Sequence, residues 1–143
     1  MEDNLLKKEY WWEFLKNNLK KKMRNNLPLE TITGVKNKIL EVGEDFFVVK
    51  SERGKENRKI TKERVEKVLQ LVITKGYYDV YVEDMSKEFL TLKDGSNLSG
   101  AHTAIIRGLL TELPFVTADE KSAQKIILVR ALYEKAKWGI EPM

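Results

Sequence analysis

Five basic residues fall within Lys50-Ser-Glu-Arg-Gly-Lys-Glu-Asn-Arg-Lys59, against two acids, Glu52 and Glu56. Lys50, Arg53, Lys55, Arg58 and Lys59 offer the ammonium and guanidinium groups that phosphate oxygens seek, and Ser51 and Asn57 could add neutral contacts. The run leads to Thr61, whose hydroxyl suits a helix N-cap, where free N–H groups and the positive dipole end would extend the attraction for an anion. A second polar stretch, Ser96-Asn97-Leu98-Ser99, precedes another expected helix start with His102 and Arg107 close by. A third basic group lies nearer the N-terminus, where Lys16, Lys20, Lys21, Lys22 and Arg24 occur with no acid between Phe14 and Leu29. Lys16 and Lys20 stand four residues apart and Arg24 continues the stripe, which could follow a phosphate backbone. A plainer description also fits: charge runs are ordinary solvated faces, and Glu52 and Glu56 blunt the field of the loop. The residues expected to contact nucleic acid are Lys50, Ser51, Arg53, Lys55, Asn57, Arg58, Lys59, Thr61, Ser99, His102, Lys16, Lys20 and Arg24.

Catalysis finds less support. His102 is the sole histidine and titrates near neutrality, as a general acid or base must, yet it lacks an evident orienting carboxylate or nucleophile. A helix-end hydrogen-bonding role is the more ordinary one. No Gly-rich phosphate loop, G-x-S-x-G elbow, H-E-x-x-H or metal-spaced acid cluster occurs. A metal-dependent nuclease would place an acid on one strand and an acid-x-Lys on the next; Asp79, Glu83 and Asp84 could supply the first, but Asp119-Glu-Lys121 falls in an expected helix cap. The absence of Cys removes thiol nucleophiles, disulfides and Cys-bound zinc. The expectation is therefore a non-enzyme without metal or cofactor.

These residues need elements to position them. Leu5, Trp12, Leu15, Leu19 and Met23 recur at helical spacing, so a long amphipathic helix is expected over about 4–26, ended by Pro28. Lys38 to Ser51 reads as a hairpin around Gly43-Glu44-Asp45, with Ile39, Val42, Phe47 and Val49 inward, followed by a wholly polar loop to Lys59. Val65, Val68, Leu69 and Val72 predict a helix from the Thr61 cap to Gly76. Tyr77 to Asp84 alternates as a strand with Tyr78, Val80 and Val82 on one face; Glu88–Leu92 is a weaker strand before the turn at Asp94-Gly95. A helix from Ser99 to Leu113, with Ala101, Ile105 and Leu109 on one face, ends before Pro114. Thr117-Ala-Asp-Glu120 has capping-box spacing, and Ile126, Val129, Leu132 and Tyr133 then predict a C-terminal helix over about 118–138.

The sum is an α+β fold: one domain over 1–143, a small antiparallel sheet of hairpins packed with about four helices, its α+β core at about 31–116. The 143 residues suffice for one core, and 42% apolar with 34% charged residues is globular composition. Neither a signal peptide nor a run near 18 apolar residues occurs, so no membrane role is expected and a cytoplasmic location is the simplest. The net charge of +4 is compatible with nucleic acid but ordinary otherwise. Acids gather at Asp79, Glu83, Asp84, Glu88 and Asp94, segregating charge along the chain.

Val49-Lys-Ser-Glu-Arg53, the basic Asn57-Arg-Lys-Ile-Thr61 entering a helix, and the segment ending Leu-Leu-Thr-Glu-Leu-Pro114 give the region from about Ile32 to Phe115 a resemblance to a small accessory module of restriction and other defence-associated DNA-binding proteins. The resemblance implies a DNA-contacting or accessory role, with Ser51, Arg53 and Arg58 near the partner. The leading expectation is a non-enzymatic nucleic-acid-binding protein, with DNA the first polymer in view. The alternative is a protein partner or homo-oligomer, its interface anchored by Trp11, Trp12 and Trp138; the more ordinary place for the three indoles is the chain's own core.

Overall fold

The computed structural model of the protein describes residues 9–54, 56–79 and 100–142. Helix α1 runs Tyr10–Arg24 and buries Trp11, Trp12, Leu15 and Leu19 along one side. Its end is a Schellman arrangement rather than a stop imposed by Pro28: Asn26 is left-handed (φ 55°), Asn26 N–H donates to Met23 O at 3.2 Å and Leu27 N–H to Lys22 O at 2.8 Å. The part of the expected helix before Glu9, with Leu5, lies outside the described residues.

A four-stranded antiparallel sheet follows in the order β1 (Leu29–Glu30), β2 (Lys36–Val42), β3 (Phe46–Ser51), β4 (Asn57–Thr61). The hairpin around residues 43–45 is as expected, with Ile39, Phe47 and Val49 buried and Val42 partly so. The stretch after it differs from expectation. Asn57, Arg58 and Lys59 are not loop but strand, pairing with Lys50, Val49 and Val48. Sheet hydrogen bonding, with Ile60 as a buried anchor, outweighs the polar composition of this stretch.

Helix α2 (Lys62–Lys75) forms where its apolar spacing places it, starting at Thr61 and ending on Gly76, whose φ of +87° needs glycine's freedom. Strand β5 (Tyr77–Asp79) buries Tyr78. Val80 and Val82, the weak strand at 88–92 and the turn at 94–95 lie outside the described residues. Helix α3 (Gly100–Leu110) follows.

The expected C-terminal helix over 118–138 is overturned. Val116–Asp119 (β6) and Ser122–Leu128 (β7) form a hairpin, and only Arg130–Glu134 (α4) is helical. Asp119 Oδ1 accepts from Lys121 N–H at 3.0 Å, so the acid that looked like part of a helix cap closes a tight turn instead. Ile126 and Leu128, two apart, share the buried side, while β7 is the middle of a second sheet ordered β5-β7-β6. Pairing on both edges decides between the two periodicities. Among the described residues the fold is thus α+β with four helices and two antiparallel sheets of four and three strands, not one sheet. Apolar side chains from α1, α2, α3 and both sheets meet in one core.

Candidate nucleic-acid interface

The antiparallel register sorts the basic residues into two groups, because successive strand residues point to opposite faces. Lys36, Lys38, Lys50, Asn57 and Lys59 are exposed, whereas Asn37, Ile39, Val49 and Ile60 alternate with them and are buried. Lys38 sits directly across from Lys50, and Lys50 from Asn57. The side chains of Lys36, Lys38 and Lys50 have no ion-pair partner among the described residues. Lys59 stands 4.5 Å from the ring centre of Phe46 on the same face.

Beside this face runs a groove of about 410 Å³. One wall carries Lys36, Lys38 and Lys50; the other, from the end of α1, carries Met23, Leu27 and Pro28. Glu52 lines it too, but its Oε1 accepts from Lys36 N–H at 3.1 Å, which ties down part of its charge. The groove exists because β1 is only two residues long, so the rest of β2 is flanked by α1 instead of a strand.

The α1 cations separate in the same way. Lys16, expected in an exposed basic stripe, is 4% exposed and bonded at 3.2 Å to both Glu13 and Glu44, which pins α1 to the β2–β3 turn. Burial pulls the pKa of its ammonium down, but the two carboxylates more than compensate and hold it above the usual lysine value. Trp12 Nε1–H donates to Glu44 O at 2.7 Å beside it. Lys16 is therefore a structural cation. At about 100° per residue, Lys20 lies within about 40° of Lys16 and Met23 within about 20°, so Lys20 shares the side of α1 that meets β2. Arg24 is exposed and Lys22 pairs with Glu112 at 3.7 Å.

The second group, Ser51, Arg53 and Arg58, lines a smaller cleft of about 230 Å³ between the β3–β4 turn, the β1–β2 turn with Thr31 and Thr33, and α3 at Ala104 and Ile105. Asn37, buried at its floor, donates from Nδ2 to Leu29 O and Val35 O at 3.2 Å and so fixes the threonine turn. Beyond Arg58, Arg64 Nη1 donates to His102 Nδ1 at 2.9 Å. A guanidinium can only donate, so the imidazole proton resides on Nε2. Burial first, then the charges of Arg64 and Arg58, hold the His102 pKa below 6.5. Among the described residues, the charges that act on His102 are those of Arg64 and Arg58.

The helix start at Thr61 is not an open anion seat. Thr61 Oγ1 accepts from Arg64 N–H at 3.4 Å, Lys62 N–H donates to Asp45 O at 2.8 Å, and Glu63 occupies the first turn. Lys55 and Ser99 lie outside the described residues, as do Glu83, Asp84, Glu88 and Asp94. Asp79 sits on β5 opposite Lys125, and no group of three or more metal-ligating side chains occurs among the described residues. Among them, too, no helix is long and apolar enough to cross a membrane. Trp11 and Trp12, the expected interface anchors, are buried at 0% and 3% exposure within the chain itself. Trp138 packs on Phe14 and Phe115, with ring centres 5.7 and 5.0 Å apart.

Sequence reasoning missed Lys36, Lys38 and Arg64. Lys36-x-Lys38 on a strand paired with Lys50 was the available signal: alternate lysines on one hairpin arm facing a third on the other. Comparison with protein-family models, curated proteins and solved structures finds no match to this chain.

Proposed function

We propose that the protein is a non-enzymatic nucleic-acid-binding protein whose main contact surface is the groove between the end of α1 and the lysine face of the four-stranded sheet. The observation that carries this reading is the Lys38–Lys50 cross-strand pair, with Lys36 beside it. Like charges directly opposite on a sheet destabilise it, and no carboxylate among the described residues forms an ion pair with these three. A fold that tolerates that repulsion gains most from an external polyanion. Phosphates along the backbone match ammonium groups repeated about 7 Å apart on one strand face. The apolar wall of Met23, Leu27 and Pro28 gives a base or sugar a surface beside the phosphates. Lys20 and Arg24 extend the charge along α1, and Lys59 extends it across β4.

Contacts of this kind go to phosphates and carry little sequence information, so affinity falls steeply with salt and varies little with sequence. DNA is the first polymer to test, since the restriction-module resemblance points there. Fluorescence anisotropy of a labelled mixed-sequence DNA supplies the test. Lys38→Ala/Lys50→Ala is expected to weaken binding at least about tenfold at about 50 mM salt. Unchanged affinity in a folded double variant would remove this groove from the interface.

A further inference from the structure

The cleft under the β3–β4 turn offers a different chemistry from the groove. Arg53 and Arg58 supply guanidinium groups, which match phosphate oxygens in fork geometry. Ser51 Oγ accepts from Arg53 N–H at 3.2 Å and keeps its proton to donate, and Thr31 Oγ1 accepts from Val35 N–H at 3.0 Å, so both hydroxyls are held in place, with one donor proton left to the Thr31–Thr33 hydroxyl pair. Thr33 Oγ1 lies 3.2 Å from Thr31 Oγ1 and shares that turn. No Asp or Glu lines the cleft among the described residues. Beyond Arg58, Arg64 Nε is buried without a hydrogen-bond acceptor. At about 230 Å³ the cleft falls below the roughly 300–1,000 Å³ of sites for whole small molecules, and suits one compact anion.

We propose that this cleft seats the terminal phosphate monoester of a nucleic-acid strand whose following backbone lies in the lysine groove. The inference rests on the nucleic-acid reading above. A monoester carries close to two negative charges at neutral pH, against one for an internal diester, and two guanidiniums with hydroxyl donors and no carboxylate match the former. Position supports the link between the sites. Asn37 and Ser51 form a register pair lining the cleft, while Lys36, Lys38 and Lys50, the neighbouring residues, line the groove on the other face. A strand passing around this end of the sheet meets one site and then the other.

The test compares internally labelled single-stranded oligonucleotides that end in a 5′-phosphate, in a 3′-phosphate or in hydroxyls only. One phosphorylated form is expected to bind at least about tenfold tighter than the hydroxyl form, the effect of about one added charge-assisted hydrogen bond. Arg53→Gln and, separately, Arg58→Lys should collapse that ratio toward one. Lys38→Ala/Lys50→Ala should weaken all three oligonucleotides and preserve the ratio. Arg53 is an exposed turn residue, so its variant reports on the cleft even if changes at Arg58 disturb the strand. Equal affinities in the unaltered chain, or a preference that survives both arginine variants, would overturn the terminal-phosphate assignment and leave the groove reading standing. No binding of any oligonucleotide would overturn both.

Discussion

Lys50 and Ser51 are adjacent in the chain yet serve different surfaces, because a strand alternates its side chains and β3 places Lys50 in the groove and Ser51 in the cleft. The density of cations from Lys50 to Lys59 was legible in the sequence; their division was not, since it depends on register. The like-charged Lys38–Lys50 pair makes a prediction that a merely solvated surface would not. Lys50→Thr should raise thermal stability by about 0.5 kcal/mol, through relief of repulsion and a better strand former, while lowering affinity for DNA. Paired melting and anisotropy curves check both signs. His102 gives a pH prediction. Its proton is disfavoured in the folded chain, so the unfolded chain binds more protons; the stability it contributes is complete above pH 6.5 and lost as pH falls below that value toward the depressed folded pKa. His102→Asn should flatten the stability profile below that pH in chemical denaturation, and an unaltered slope would show that another group sets it.

At the scale of elements, α2 was readable from both ends: its apolar spacing, the Thr61 cap and the left-handed Gly76 all agree with the fold. The C-terminal third was not, because Ile126, Val129, Leu132 and Tyr133 satisfy a helical spacing by coincidence while β-branched residues feed the middle strand of the second sheet. Helix α1 was legible as an element but not in its polar side. Lys16 belongs to packing, and Lys20 and Arg24 to the surface. Accordingly, Lys16→Ala should cost about 1 to 2 kcal/mol of stability by removing a buried stem and two ion pairs, whereas Lys20→Ala/Arg24→Ala should leave stability within about 0.5 kcal/mol and weaken DNA binding. Denaturant titration beside anisotropy separates the two. The approach of α3 to β1 depends on Gly108, where an added Cβ would meet Glu30 O at 2.4 Å and Thr31 Cα at 3.1 Å. Gly108→Ala improves helix propensity, yet it should destabilise by about 1 to 3 kcal/mol, since backbone must shift to admit the methyl. The same shift would move Thr31 at the cleft.

Across the whole molecule, the sequence foretold an α+β fold with one core but not that its strands divide into two sheets. Strand pairing between distant segments, such as β5 with β7, leaves no local trace in composition or period. The tryptophans illustrate the same limit. Their size marked them as important, but only the fold shows Trp11 and Trp12 sealed against the core, with Trp11 N–H bonded to Trp138 O at 3.0 Å so that the C-terminal segment is held to α1. What remains on the surface is uneven charge: an arginine cleft that no acid lines among the described residues and a lysine groove share one end of the larger sheet.

The salt dependence of DNA affinity tests this account most directly. If Lys36, Lys38 and Lys50 each neutralise a phosphate, log K should fall linearly with log salt between about 50 and 200 mM, with a slope at least as steep as about −2 to −3, steeper with each further contact from Lys20, Arg24 or Lys59, that shrinks by about 1 to 2 in Lys38→Ala/Lys50→Ala. No binding at the lower salt, or an affinity indifferent to salt, would contradict it.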